Sequence, residues 1–299
     1  MPIDNLQNEV VKAPFSRRVG VAITDLFILL FTFLIFNTYI LSPIVASSTS
    51  YTKVTDEYKE VLLDSNLYIL NDKGYQEIIK TYDEKTQTEK EFYLYIDSKL
   101  NKFYKGYNND NINIKTYNEA KEESNLFNVD YTLKNDIKSE EAKTFFTNEY
   151  NEALRLFNNY DDNYLDLARI ITQYSIIIMI SALTIASIIL YLIIPLCMKN
   201  GETIGKKLFS IGLASAKDGF KVKKTQIIIR FLVFFLIEIL LSIFTFGIPL
   251  IISFSMLAFN KNGYSLHDYF AATICVDRKN TIIYKDYKEF ENHERIVLK

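Results

Sequence analysis

Three stretches of the chain are almost free of charge. Residues 19–46 hold one charged residue, Asp25; residues 170–198 hold none; residues 227–259 hold two, Arg230 and Glu238. A strongly polar segment separates the first two stretches. A soluble domain mixes apolar and polar positions at periods of about 2 or 3.6 and rarely collects them in such runs. A membrane crossing needs ~20 mostly apolar residues at a rise of ~1.5 Å each. Residues 19–41 supply 23, and Pro43 then disfavours further helix. Residues 170–195 supply 26. Residues 227–259 supply 33, long for one crossing and short for two, and Gly247-Ile248-Pro249 divides them.

The pattern predicts an all-α membrane protein with a bundle of about four transmembrane helices. The third and fourth form a helical hairpin, with one tilted 33-residue helix as the alternative. Four segments follow: a tail and first helix over 1–46, a polar Tyr-rich insertion over 47–165, helices 2–4 with a basic loop over 166–279, and a charged tail over 280–299. The first apolar stretch is too long for a cleaved signal peptide and contains Asp25, so it reads as a span.

Short basic segments set orientation. Residues 1–18 carry Lys12, Arg17 and Arg18, and residues 199–226 carry seven lysines against Glu202 and Asp218. Both belong on the cytoplasmic side of the membrane. The segment 47–165, with 15 Lys/Arg and 23 Asp/Glu, is then extracytoplasmic, and a returning fourth helix brings residues 260–299, with Lys261, Arg278 and Lys279, back inside. Lys207, Lys223 and Lys224 suit contact with anionic lipid headgroups.

Within the insertion, apolar residues at 142, 145, 146, 150, 153, 154, 157, 160 and 164 follow helical spacing, with Ser139 as N-cap. This helix is expected to run directly into the second span. Residues 51–70 carry a weaker helical pattern, 92–96 fit strand or helix, and Asn108-Asn109-Asp110-Asn111 reads as a turn. Fourteen of the 21 tyrosines lie here. They serve either as an aromatic binding surface or, the favoured reading, as the core of a small domain.

Cys197, Cys275, His267 and His293 all fall outside the insertion. This removes disulfides, thiol catalysis and His/Cys metal sites from it. No nucleophile–base pair, metal set or cofactor motif is visible, so an enzyme is not expected. The net charge of −2 and the lack of a basic aromatic motif argue against nucleic acid as a partner.

Charge at membrane depth costs several kcal/mol unless it is paired or hydrated. Arg18 and Asp25 lie two helical turns apart on one face. Arg230 enters the third span at roughly the depth of Asp25, which points to an Arg18–Asp25–Arg230 cluster. Glu238 sits deeper with no evident partner, and Asp268 follows the fourth helix in Leu266-His267-Asp268. Between spans two and three lies Gly201-Glu202-Thr203-Ile204-Gly205-Lys206-Lys207, followed by Asp218-Gly219 in a short hairpin. The segment is no P-loop, because its glycines are four apart and Lys207 replaces the hydroxyl residue.

Taken together, these residues resemble the RDD family of bacterial membrane proteins, named for an Arg at the start of the first span, an Asp within it and a later Asp. The matches are Arg18, Asp25 and Asp268; the loop residues Gly201, Thr203, Gly205 and Lys206, with Glu202 where Gln is usual; Arg230; and Asp268, Ala271 and Thr273 in the closing motif. The resemblance covers 15–46 and 170–279 and leaves the insertion without a counterpart. It implies the bundle and suggests transport of an unknown ligand or ion. Arg18, Asp25, Arg230, Glu238 and Asp268 are the candidate intramembrane site. The alternative is a membrane-anchored scaffold or sensor whose insertion binds a partner. Either way the expected partners are the lipid bilayer and a second copy or another membrane protein.

Overall fold

The computed structural model of the chain describes residues 10–72, 74–107, 111–130, 132–134, 139–260 and 263–297. The expected turn at 108–110, Lys261 and the side chain of Ser139 lie outside the described residues. The chain divides into two compact units, one of residues 1–43 and 178–299, the other of residues 44–177.

The fold is mostly helical. Three helices are long and apolar enough to cross a membrane: α1 (Phe15–Ser48), α6 (Asp162–Cys197) and α8 (Lys224–Phe244). A shorter apolar helix, α9 (Ile248–Phe259), follows α8. The chain reverses at Gly247, whose φ of 84° a β-carbon would disfavour. Pro249 then opens α9, where its missing N–H costs nothing. α9 packs back on the Val233–Leu240 stretch of α8, so the residues after the break form a helical hairpin. Each long helix contains a wider π-helical turn, at Phe36–Leu41, Ile188–Ile193 and Val233–Leu240. Such turns re-aim side chains and occur often at functional sites.

The first unit is not all-helical. Strand β3 (Ile211–Ser215) pairs antiparallel with β4 (Thr273–Asp277), from Ile211 opposite Asp277 to Ser215 opposite Thr273, and all ten residues are buried. The segment before α1 extends the ladder through the Lys12–Val276 bridge. The Ala13 N–H donates to the Cys275 carbonyl at 3.0 Å and the Asp277 N–H donates to that of Val11 at 2.8 Å. The expected reversal at Asp218-Gly219 is present, with Ala214 bridged to Lys221. The short helices α7 (Ile204–Leu208) and α10 (Leu266–Phe270) flank this ladder in sequence.

The second unit holds α2 (Tyr51–Asp64), a hairpin of β1 (Tyr68–Asn71) and β2 (Gly74–Glu77), α3 (Glu89–Gly106), α4 (Ile114–Glu123) and α5 (Ser139–Tyr160). Residues 92–96 are helical, inside α3, which opens with a Thr88–Glu91 capping box. Tyr104, Tyr117, Tyr150, Phe146 and Phe157 are fully buried. Tyr104 stacks on Tyr117 at 5.1 Å and Tyr93 on Phe146 at 5.2 Å. The tyrosines therefore build a core, as the favoured reading held. One expectation fails: α5 does not run into the second span. It ends at Tyr160, and Asp161 caps a new helix by accepting the Tyr164 N–H at 2.6 Å. A carboxylate at an N-cap position competes with continuation of the preceding helix.

Candidate functional site

The first unit holds a half-open cavity of about 630 Å³ lined by α1, α6, α7, α8, α9 and α10. Most of its wall is apolar, and six Asp, Glu, Lys or Arg side chains from distant parts of the sequence reach it: Arg18, Asp25, Lys206, Arg230, Glu238 and Asp268. His267 lines it as well.

Asp268, at the start of α10, is 1 % exposed. Its Oδ2 accepts from Arg18 Nη2 at 3.0 Å and from the Ser265 hydroxyl at 2.7 Å. Its Oδ1 accepts from Arg230 Nη1 and, at 3.1 Å, from the Thr273 hydroxyl. Arg18 also donates to the Gly263 carbonyl, and Arg230 to Thr273 Oγ1 at 2.9 Å. Burial alone would push the Asp268 carboxyl up, but the cations around it, Arg230 foremost, hold it well below the usual carboxylate range. The carboxylate therefore ties α1 and α8 together through two guanidinium groups.

Asp25 does not belong to that cluster, contrary to the Arg18–Asp25–Arg230 arrangement its depth suggested. Its Oδ2 accepts the Thr203 hydroxyl at 2.5 Å and its Oδ1 the Gly205 N–H at 2.8 Å. Thr203 is in turn the N-cap of α7, accepting from the Lys206 N–H. Asp25 thus docks α1 on the start of α7, where unpaired N–H groups favour an anion. A β-carbon on Gly205 would lie 2.7 Å from Asp25 Oδ1 and 3.0 Å from the Val21 carbonyl, which explains a glycine there. Tyr191, on the π-helical turn of α6, donates to the backbone carbonyl of Asp25 at 3.2 Å.

Glu238, deep in α8, does have a partner. Its Oε1 accepts the His267 backbone N–H at 3.0 Å and lies 2.9 Å from His267 Nδ1. His267 Nε2 is 2.9 Å from the Ser265 hydroxyl, which is also 2.7 Å from Asp268. Burial first, and Arg230 second, hold the imidazole below its ordinary value against the pull of Glu238. In the neutral ring, Nδ1–H donates to Glu238 and Nε2 accepts from Ser265; in the imidazolium, Nε2–H donates to Ser265 and that hydroxyl turns to Asp268. Glu238, His267, Ser265 and Asp268 therefore form a relay between two buried carboxylates that is continuous only in the imidazolium; in the neutral ring the single Ser265 proton goes either to His267 or to Asp268.

Lys206 is the exception. It is 7 % exposed, yet among the described residues its ammonium makes no hydrogen bond or ion pair. Burial pushes it down and Arg230 pushes the same way, while Asp25 and Asp268 counteract only through space. The other loop residues have structural tasks. Gly201 has a φ of 64° and sits against Val222, and Glu202 pairs with Arg278 at 2.9 Å. Lys207, Lys223 and Lys224 are exposed.

Sequence reasoning therefore named the six groups but not their connections. His267, Ser265, Thr273 and Tyr191 were missed as members. The Ser-x-His-Asp run at 265–268 was the signal available for three neighbouring polar groups, and nothing in sequence pointed from Tyr191 to Asp25.

The family model of the RDD family matches residues 156–272, a likeness consistent with an RDD-family membrane protein. The matched region contains Lys206, Arg230, Glu238 and Asp268; Arg18 and Asp25 lie before it and reach it through Asp268 and through Thr203 with Gly205. No curated protein and no solved structure matches the chain.

Proposed function

We propose that the chain is an RDD-family membrane protein that takes a small ligand into the cavity of its helical unit and moves it across the plasma membrane. The observation that carries the reading is the cavity of about 630 Å³, within the ~300–1,000 Å³ range of small-molecule sites, with ionisable residues buried on its wall. Ionisable groups held at membrane depth mark ligand or ion paths more often than they mark stability. The Glu238–His267–Ser265–Asp268 chain supports a proton step coupled to that movement. In this reading α9 is the fourth membrane helix. Both ends of the sequence and residues 199–226 face the cytoplasm, and residues 47–165 face outward. Four helices make a narrow bundle, so the working form is a homo-oligomer or a complex with another membrane protein.

One observation favours the second reading, a scaffold or sensor. Asp25 and Asp268 have donors on both carboxylate oxygens and Glu238 has two on Oε1, as structural carboxylates would. Flux measured in proteoliposomes against a panel of ions and small solutes separates the two. The transport reading predicts flux of at least one solute, abolished when Ala22→Trp fills the cavity in a protein that still folds. No flux for any solute would leave the scaffold reading.

A further inference from the structure

We propose that the cavity binds a single-chain amphiphile with an anionic head, carboxylate or phosphate, the head at Lys206 and the tail along Leu26, Leu30, Ile239, Ile243 and Leu250. This deepens the reading above and rests on it, since it names what the cavity takes.

Two observations carry it. The first is the sorting of chemistry along the cavity. Lys206, Arg230 and Asp268 line it alongside Arg18 and Asp25 of early α1, while Leu30, Ile243 and Leu250 line it farther along α1, α8 and α9. From Arg230 to Ile243 the axis of α8 advances about 20 Å at the helical rise, and the wall beyond Arg230 is mainly apolar, with Glu238, bound to His267, and Ser242 the polar groups of α8 on it. The second is Lys206 itself. Each carboxylate on the wall is already held by other donors, Asp268 by Arg18 and Arg230, Glu238 by His267, Asp25 by Thr203 and Gly205. None is left as counter-ion to an ammonium that is more than nine-tenths buried and lines the same space. An incoming anion supplies what the protein does not, because a buried cation is tolerated when it is paired.

The test uses the full chain in phosphatidylcholine nanodiscs, labelled with palmitate carrying a photoreactive diazirine near its tail end and mapped by peptide mass spectrometry. The proposal expects label on the cavity faces of α1, α8 and α9. Unlabelled palmitate and hexadecyl phosphate should compete; hexadecanol and hexadecyltrimethylammonium should compete at least tenfold less well. Acetate and inorganic phosphate at millimolar concentration should not compete, which separates an amphiphile from a soluble anion of the same head chemistry. Lys206→Gln should raise the half-saturating concentration at least tenfold, and Lys206→Arg should restore it to within about threefold. Labelling in the cavity that ignores head charge and survives Lys206→Gln overturns the anionic assignment while leaving cavity binding intact. Competition by acetate or phosphate alone overturns the amphiphile. Failure of palmitate to label the cavity of a protein that still moves another solute overturns this proposal and spares the transport reading. The head-group series on the unsubstituted protein decides the matter even if Lys206→Gln does not fold.

Discussion

Lys121 in the 44–177 unit and Lys206 in the membrane unit are both almost stripped of solvent, 2 % and 7 % exposed. Lys121 sits 2.6 Å from Asp97, reaches Asn101 at 3.4 Å, and lies 4.5 Å and 5.0 Å from the ring centres of Tyr117 and Phe127. Asp97 also accepts the Tyr117 hydroxyl at 2.9 Å. The lysine is held on every side, as a structural ion pair requires. Lys206 has comparable burial and none of these contacts. Burial of charge is therefore no sign of function by itself; burial without a partner is. The apolar residues differ in the same way. The 44–177 unit folds its aromatics inward, whereas the membrane unit turns Phe27, Phe31 and Leu34 of α1 outward, as lipid in place of water allows.

The largest expected effects fall where each unit keeps its own core. Asp268→Asn leaves two buried guanidinium groups without their shared anion and should cost the membrane unit roughly 3–5 kcal/mol. Phe157→Ala, at a fully buried ring in the other unit, should cost a similar ~3–5 kcal/mol. Hydrogen exchange read region by region in nanodiscs checks both. Each loss should stay in its own unit, and spread of both losses through the whole chain would mean that the two units unfold as one.

Gly205→Ala comes next. Its β-carbon displaces Asp25 from the α7 terminus, and a loss of about 1–3 kcal/mol is expected in the membrane unit, measured as a lower melting midpoint. An unchanged midpoint would mean that Asp25 is not needed to dock α1 on α7.

Acid should weaken the membrane unit in two stages. His267 is held below its ordinary value, so as pH falls through ~6.5 the unfolded chain takes a proton that the folded chain refuses, and stability declines. Asp268 is also held low, so its contribution, complete above ~3.9, declines as pH falls below that value. His267→Gln should remove the first stage only, seen in melting against pH. The smallest effect is expected at Phe27→Ala, where a 70 % exposed ring should change stability by no more than ~0.5 kcal/mol.

Helix positions were readable from sequence because long apolar runs admit few solutions in a bilayer, and the break at Gly247-Ile248-Pro249 rests on the backbone chemistry of those residues. The helical spacing at 142–160 was equally plain. Pairings were not readable. Asp25 meets Thr203 and Gly205 about 180 positions away, and β3 finds β4 about 60 positions away, where local periodicity carries no information. Glu238 seemed unpaired because its partner, His267, follows a helical hairpin whose return had to be known first. Lys206 is legible in sequence as part of the loop motif, but one lysine among seven in a basic loop shows nothing of its burial, which only the fold reveals.

The difference between the two lysines is tested most directly by replacing each with methionine, which keeps the stem and removes the charge, and melting the full chain in nanodiscs without added ligand. Lys121→Met strands Asp97 and should destabilise the 44–177 unit by about 1–3 kcal/mol. Lys206→Met removes a charge that no described residue pairs by a hydrogen bond or ion pair, and the membrane unit should hold its stability or gain up to ~1 kcal/mol. Equal losses for the two substitutions would mean that Lys206 is as structural as Lys121, and would contradict the assignment of the cavity as a site that waits for its ligand.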